Sequence, residues 1–466
     1  MKVLVPLFVA AAFVCPLHAD DVAMTPLAPL TMAEMARSPE SQFYAERNFD
    51  RESHLRPFAA QSLSALHPAP AVFATKTPPP AATGFRAFTA TVPPADSGGA
   101  VSARFCVSVN NDSVVVQDRS GKQLSRVGMS QFWSDPSLPP ALLTDPRIIY
   151  DAKNDRFITV AIYIGASQGK LLIAFTASGD PTATWKRFFA TFDDSGTPGD
   201  FPNIGQTSDA ILITADDFDG TSGYIFVMPK TYDTTTPLQR IHLGTGYDLV
   251  PVTTSGSTRR FVRGSVTGTM VELTGSTYTT KLFSASASTQ INNTLTCGTQ
   301  LGSLMTLDCG VGDLEAAVEH DGVTWAVLAA ERGVIILRIT DAETKTYTIE
   351  SPDMTVAYSS IAVNRAGAVL VAYSVFSPTG YPSAGYSYID PAGNLSAPAI
   401  LKRGEGAYTG HYRWGDYTTA VVDPADNTSF WTVQLYASPA TSSWATWWGY
   451  IKIADNAPAR RHAAAH

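Results

Sequence analysis

The chain has 466 residues, 33 Lys and Arg against 41 Asp and Glu, and a formal net charge of −8 at pH 7. This acidic balance, with no basic stripe to neutralise phosphates, argues against a nucleic-acid partner. No segment after the N-terminus has the ~18 uninterrupted apolar residues of a membrane-spanning helix, so we expect no membrane span.

The first 19 residues have the pattern of a signal peptide. Lys2 precedes an apolar run from Val3 to Val14, and the small residue Ala19 precedes the acidic pair Asp20-Asp21. A buried N-terminal helix and a lipid anchor at Cys15 are the alternatives. The absence of a small residue directly before Cys15 favours cleavage after Ala19. We therefore predict a secreted or periplasmic protein.

Composition predicts three further regions. Residues 20–98 are rich in Pro and Ala, which is typical of a leader or linker that is at most partly docked on a domain. Residues 99–456 alternate short runs of Val, Ile, Thr, Tyr and Phe with turns of Gly, Asp, Asn and Ser, which indicates an all-β domain. Residues 457–466 are expected to be a flexible tail.

The strand runs of the β domain repeat as hairpins whose turns carry Asp, Asn or Gly. One runs from Arg147 to Val160 through a turn at 151–155, and another from Ser360 to Val371 through a turn at 364–367. Such hairpins recur roughly every 45 to 60 residues, the spacing of β-propeller blades with decorated loops. We predict a β-propeller of about seven four-stranded blades, with six as the alternative.

A turn that follows the strands from Val160 to Thr176 resembles the Asp-box of sialidase-type propellers. The passage from Ser178 to Trp185 places Asp180 and Trp185 as that turn requires, with Thr182 where Gly is usual. The Asp is expected to cap backbone amides and the Trp to pack between blades, which is a structural role.

The chain resembles a family of secreted bacterial proteins of poorly defined function that are predicted to be β-propellers. The resemblance covers most of residues 100–455, and Arg-Trp-Gly-Asp-Tyr at 413–417 is its most specific passage. It implies export and the fold but no reaction. The other passages are Asp-Pro-Arg-Ile-Ile-Tyr-Asp at 145–151 with Asp-Arg-Phe at 155–157, Asp-Phe-Pro-Asn-Ile-Gly at 200–205, Ala-Tyr-Ser at 372–374 with Tyr-Pro-Ser at 381–383, and Asp-Pro at 423–424 with Phe-Trp at 430–431.

Polar residues stand where the predicted innermost strands begin, and these strand starts meet at one end of a propeller channel. Carboxylates, arginines and a histidine gathered there would suit a polysaccharide or protein ligand, or supply an acid–base pair for a sialidase-like glycan hydrolase or lyase. The structural alternative is that these side chains form hydrogen bonds and ion pairs that hold neighbouring blades together. The candidates are Asp145, Arg147, Asp200, Glu315, His411, Arg413 and Asp416.

Metal and cysteine chemistry give two further expectations. Asp216 to Gly220 matches part of a calcium loop but lacks a closing Glu, so an acidic turn is the alternative and no metal is assigned.

Cys297 and Cys309 flank a short loop and are predicted to form a disulfide, whereas Cys106 is expected to be a buried free thiol. No other cofactor is indicated, and a monomer is expected.

Overall fold

The structure is a computed structural model, and it describes most of the chain. The described residues are 14–16, 18–38, 77–90, 93–165, 169–193, 195–218, 222–244, 248–275, 277–286, 296–310, 312–331, 333–439 and 443–453. The predicted tail at 457–466 lies outside them.

The N-terminal part supplies five strands and one short helix. They are β1 (Val14–Pro16), β2 (His18–Val22), β3 (Thr25–Pro26), β4 (Leu30–Thr31), α1 (Met32–Met35) and β5 (Ala82–Ala90).

Seven groups of antiparallel strands follow, and we call them blades 1 to 7. Blade 1 contains β6 (Gly98–Val101), β7 (Phe105–Val109), β8 (Ser113–Asp118) and β9 (Gln123–Gly128), and α2 (Met129–Phe132) follows it. Blade 2 contains β10 (Leu142–Asp151), β11 (Arg156–Ile164), β12 (Gly169–Thr176) and β13 (Thr184–Thr191). Blade 3 contains β14 (Gly199–Gln206), β15 (Ala210–Asp217), β16 (Gly223–Pro229) and β17 (Leu238–His242). Blade 4 contains β18 (Val250–Thr253), β19 (Arg259–Gly264), β20 (Thr267–Thr274) and β21 (Thr277–Ser284).

The remaining blades follow a short inserted hairpin, β22 (Thr296–Gln300) and β23 (Ser303–Asp308). Blade 5 contains β24 (Leu314–His320), β25 (Val323–Ala329), β26 (Gly333–Ile339) and β27 (Thr344–Glu350). Blade 6 contains β28 (Thr355–Val363), β29 (Val369–Ser377), β30 (Gly380–Ile389) and β31 (Ala399–Lys402). Blade 7 contains β32 (Thr419–Val422), β33 (Phe430–Ala437) and β34 (Trp444–Ile451).

The first strand of every blade faces the centre, and these strands form a closed ring. In chain order β6, β10, β14, β18, β24, β28 and β32 each contact the next, and β32 contacts β6. The described residues therefore form a β-propeller of seven blades rather than six. Asp155, Asp321 and Asn427 occupy hairpin turns with positive φ, as the predicted Asp and Asn turns require.

Blade 7 is completed by the N-terminal strand β5, which pairs antiparallel with β34, so that Phe85 lies opposite Trp448. The propeller therefore includes residues 82–90, which composition predicts to be part of the leader or linker 20–98. The reason is local: β5 itself contains no proline, while Pro78 to Pro80 and Pro93-Pro94 on either side dominate the composition. The strand joins the two ends of the ring and fixes its closure.

The first part of the N-terminal segment lies along the outer strands of three blades. β3 and β4 pair with β13, β2 pairs with β17, and β1 pairs with β21. Arg187 in β13 is 1% exposed and donates hydrogen bonds to the carbonyl oxygen of Ala28. This arrangement covers edges that would otherwise expose unpaired backbone groups.

The hydrophobic core is divided among the blade interfaces. Within the described residues, six clusters of buried apolar side chains each join two neighbouring blades. A seventh cluster, which contains Trp431, Trp444 and Trp448, joins blades 7 and 1 and extends to blade 6 and the inserted hairpin. Each blade is a sheet with two buried faces, so the propeller depends on closure to bury the faces of its terminal blades.

The Asp-box-like turn has the predicted structural role. Oδ1 of Asp180 accepts hydrogen bonds from the backbone N–H and hydroxyl of Thr182, at 2.9 and 2.7 Å. Trp185 is fully buried and its indole N–H donates to the carbonyl of Pro181 at 2.8 Å.

Cys106 is a free buried thiol, as predicted. Burial raises its pKa, so it stays protonated and unreactive at neutral pH. The side chain of Cys297 lies outside the described residues, and its disulfide with Cys309 stays a prediction.

Among the described residues, no helix has both the length and the apolar character needed to cross a bilayer.

Candidate functional site

The innermost strands share a local distortion at the channel end where they begin. β10, β14 and β28 each carry a bulge there, and Asp145, Phe201 and Tyr358 adopt positive φ at those bulges. Positive φ is strained for residues other than Gly and persists only where neighbouring contacts hold it. Asp248, just before β18, has the same conformation.

The contacts that hold these bulges run from one blade to the next. Oδ1 of Asn111 in blade 1 accepts the N–H of Asp145 in blade 2 at 3.0 Å. Oδ2 of Asp145 accepts the N–H of Phe201 in blade 3 at 3.0 Å. Asp216 of blade 3 accepts the N–H of Asp248 at 3.2 Å. Each acceptor side chain thus satisfies a backbone amide of the following blade.

The same kind of hydrogen bond, from a backbone N–H to a side chain of another blade, recurs in the second half of the ring. Oε2 of Glu315 in blade 5 accepts the N–H of Ser359 in blade 6 at 2.6 Å, and also the Ser359 hydroxyl. Oδ1 of Asp96, just before blade 1, accepts the N–H of Asp416, just before blade 7, at 2.7 Å. The carboxylates at this end of the channel therefore serve as ties between blades.

The Arg-Trp-Gly-Asp-Tyr passage forms a compact ion-pair unit. Nη2 of Arg413 donates to both oxygens of Asp416, at 2.8 and 2.7 Å, and its Nε lies 3.2 Å from Oδ2 of Asp308. The N–H of Trp414 donates to Oδ1 of Asp308 at 2.5 Å, and its buried indole N–H donates to Ser374 of blade 6 at 2.9 Å. Two carboxylates thus hold the guanidinium of Arg413.

Arg147 reaches the same end of the channel from blade 2 but is held differently. Its guanidinium carbon lies 3.4 Å from the ring centroid of Tyr417 and 5.1 Å from that of Phe201. Tyr417 is 2% exposed and its hydroxyl donates to the carbonyl of Pro146 at 2.9 Å. Cation–π packing therefore sets the position of this guanidinium.

Burial shifts the protonation of several of these groups. Burial raises the pKa of Glu315 to about 7 against the opposing Ser359 hydrogen bonds, and raises that of Asp308 to about 7 against the attraction of Arg413. The pKa of Asp96 is raised by burial and then by the charges of Asp416 and Asp145. Burial lowers the pKa of Arg147 despite the nearby carboxylates. The channel end therefore carries less negative charge at neutral pH than its carboxylates suggest.

The structure brings most of the sequence candidates together. Asp145 and Asp416 both act electrostatically on Arg147, and Arg147 acts on Glu315. His411 lies beside Arg413 and accepts its backbone N–H through Nδ1 at 3.0 Å. Asp200 lies opposite Asp216 in the β14–β15 ladder.

Four contributors to this end of the channel are not among the sequence candidates, namely Asp96, Asn111, Asp308 and Tyr417. Asp96 stands in the Pro-rich segment, Asn111 lies in a hairpin turn, and Asp308 lies in the inserted hairpin that precedes blade 5. Tyr417 belongs to the passage already singled out, and its place after Asp416 was the available signal.

In the part of the chain that the structure describes, no three His, Cys, Asp or Glu side chains are grouped to hold a metal ion. In the calcium-like passage, Asp216 accepts the Asp248 amide and Asp217 accepts the hydroxyl of Ser222 at 2.9 Å. Asp219 and Gly220 lie outside the described residues. The described contacts are those of a turn that ties blades together.

Comparison with known proteins assigns no family, because no family model and no curated protein matches the chain. Solved structures show a distant likeness. A Dyadobacter fermentans protein of unknown function is 10% identical over 66% of this chain and 94% of its own, with a TM-score of 0.40. An apocarotenoid oxygenase of Synechocystis, in its Glu150Gln form, is 9% identical over 66% of this chain and 71% of its own, with a TM-score of 0.40. The microbial sialidase Hz136 is 10% identical over 73% of each chain, with a TM-score of 0.38. These values assign neither an activity nor a ligand to this chain.

Proposed function

We propose that this protein is an exported β-propeller that binds an extracellular ligand, a polysaccharide or a protein, at the channel end where the innermost strands begin. The observation that carries the proposal is the use of the carboxylates there. Asp96, Asp145 and Glu315 each accept a backbone N–H of another part of the ring, and Asp416 accepts the guanidinium of Arg413 three residues away. A group that holds the fold together is poorly placed to give up or take a proton in each turnover.

The rigidity of this end supports binding as well. Side chains fixed by packing and by hydrogen bonds lose little conformational entropy when a ligand arrives, so more of the interaction energy contributes to affinity. Arg147 is fixed in this way by Tyr417 and Phe201.

A glycan-degrading hydrolase or lyase is the second candidate, and one observation favours it. Glu315 has a pKa of about 7, which is the value a general acid needs at neutral pH. Its hydrogen bonds to Ser359 argue against this role, because proton transfer would break a tie between blades 5 and 6.

A glycan array incubated with the purified protein tests the proposal, with reducing-end and unsaturated-product assays on the same samples. We expect saturable binding to a restricted set of glycans without product release. Turnover of a bound glycan would favour the enzyme, and the absence of glycan binding would leave a protein ligand, to be sought by crosslinking at the surface of the secreting cell.

Export is part of the proposal and has its own test. N-terminal sequencing of protein from a secreting host should begin at or near Asp20, so that the mature chain lacks β1 and keeps β2 only from Asp20 onward. A mature form that still begins at Met1, or that is acylated at Cys15, would contradict it.

A further inference from the structure

The peptide bond that a signal peptidase is expected to cut lies inside a strand of the folded protein. β2 pairs antiparallel with β17 of blade 3, which places Ala19 opposite Ile241 and Asp20 opposite Arg240. The bond between Ala19 and Asp20 is therefore part of a hydrogen-bonded ladder. Proteases cut segments that are free of such pairing, so this bond is accessible only after β2 has separated locally from blade 3.

The first residue after this bond is held by a buried arginine. Nη2 of Arg240 lies 3.1 Å from Oδ2 of Asp20, and Arg240 is only 6% exposed. Nη1 of the same arginine donates to the carbonyl oxygen of Phe192 at 3.5 Å. Separating Asp20 from this site removes a carboxylate from a buried guanidinium, which costs free energy. The ion pair therefore opposes the opening that a protease needs.

The segments on both sides of β2 are docked on the propeller as well. On the N-terminal side, β1 pairs with β21 of blade 4, with Val14 opposite Thr279. On the C-terminal side, β3 and β4 pair with β13 of blade 2, and Met32 and Met35 of α1 are buried. The folded chain therefore holds the Ala19–Asp20 bond between two segments that are themselves paired with blades.

We propose that the Ala19–Asp20 bond is hydrolysed before the propeller folds, and that Asp20 docks on Arg240 only after the cut. This inference rests on the proposed export and adds the order of its steps: the chain crosses the membrane unfolded, is cut, and then folds. In the cut, water adds its hydroxyl to the carbonyl carbon of Ala19 and its proton to the nitrogen of Asp20. A chain that folds in the cytoplasm would keep β1 and the start of β2 in place.

The test is an order-of-addition experiment with the full chain, purified after expression in the cytoplasm and unfolded in urea. The chain is diluted into buffer that already contains an excess of signal peptidase, or it is refolded first and then given the same peptidase. Mass spectrometry measures the peptide that begins at Asp20. We expect the refolded chain to be cut about tenfold more slowly or less, because only molecules with β2 transiently open are substrates.

A variant then tests the ion pair. Arg240→Met removes the partner of Asp20 but keeps an apolar side chain in the buried position, and should speed the cutting of the refolded chain severalfold. Arg260→Met is the matched control, because Arg260 pairs with Glu272 and Glu319 in blades 4 and 5, and it should be cut at the wild-type rate. Thermal melts show that each variant is folded before the peptidase is added, and the wild-type comparison depends on neither.

Three results would count against the proposal, and they differ in what they leave standing. Equal rates of cutting at Ala19–Asp20 in both orders of addition would overturn the proposed order of steps while leaving export intact. A folded Arg240→Met chain that is cut no faster than the control would overturn the protective role of the ion pair. Cutting in neither order, with a standard precursor cut in the same tube, would overturn both the cut site and the proposed export.

Discussion

Oδ2 of Asp145 in blade 2 accepts a hydrogen bond from the backbone N–H of Phe201 in blade 3, at 3.0 Å. Asp145 in turn donates its own N–H to Asn111, whose amide nitrogen donates to Asp96 at 2.9 Å, and Asp96 accepts the N–H of Asp416. Four hydrogen bonds, made by three side chains and three backbone N–H groups, thus link blade 7 to blade 3 through blades 1 and 2. The ring is closed at the channel by these hydrogen bonds as well as at its rim by β5.

Replacing Asp145 tests whether this chain of hydrogen bonds stabilises the propeller. Asp145→Ala removes the side-chain acceptor of the Phe201 N–H and puts Ala at a φ of 54°, so we expect the free energy of unfolding to fall by about 1–3 kcal/mol. Asp145→Asn is the control, since Asn tolerates positive φ and keeps an acceptor oxygen, and should lose less. Urea denaturation measures the free energy of unfolding of both variants and the wild type. Equal stability of all three proteins would contradict a stabilising role for the hydrogen bond between Asp145 and Phe201.

Asp416→Ala tests the role of the Arg-Trp-Gly-Asp-Tyr passage. The change removes both acceptors of Arg413 Nη2, while Asp308 remains beside Nε. We expect thermal melts to show a loss of about 1–3 kcal/mol, with Asp416→Asn less affected because one acceptor is kept. An unchanged melting temperature combined with lost ligand binding would make the passage part of the site instead of a support for it.

The raised pKa of Glu315 predicts that the stability of the protein depends on pH. Its pKa is about 7 in the folded protein, above the ordinary value of a Glu, so the folded state binds a proton that the unfolded state has already released. This contribution to the free energy of unfolding is fully present below the unfolded pKa and is lost as pH rises through about 7. Melting temperatures from pH 5 to pH 8 should fall less in Glu315→Gln than in the wild type. Parallel curves would show that Glu315 does not titrate in this range.

Gly84 tests closure of the ring by β5. A Cβ at this position would lie 2.1 Å from the carbonyl oxygen of Trp448 and 2.4 Å from Nε1 of Trp447. Gly84→Ala should therefore separate β5 from β34 and cost about 1–3 kcal/mol. Gly256→Ala is the control, because its Cβ would meet only the Thr254 hydroxyl at 3.5 Å. Limited proteolysis should cut near residues 82–90 in the first variant only, and equal resistance would contradict closure by this strand.

The disulfide prediction is tested by mass spectrometry of a non-reduced digest. In the β22–β23 hairpin Thr296 lies opposite Asp308 and Gly298 opposite Leu307, so the backbone brings residue 297 close to Cys309. We expect a Cys297–Cys309 peptide pair, with Cys106 free and protected from alkylation until the protein unfolds. A bridge to Cys106 would contradict both assignments.

The hairpins from Arg147 to Val160 and from Ser360 to Val371 were predictable from the sequence, because alternating apolar residues and Asp, Asn or Gly turns are local signals. Their recurrence also predicted the propeller and the gathering of Asp145, Arg147 and Asp416, since innermost strands all begin at one end of a channel. Other relationships depended on tertiary structure. Contact between Tyr417 and Arg147 joins blades that are not neighbours, and the pairing of β5 with β34 spans more than 350 residues. Local patterns determine which strands and turns form, but closure of the ring brings distant parts of the chain together, and only that closure decides which polar groups are paired between blades.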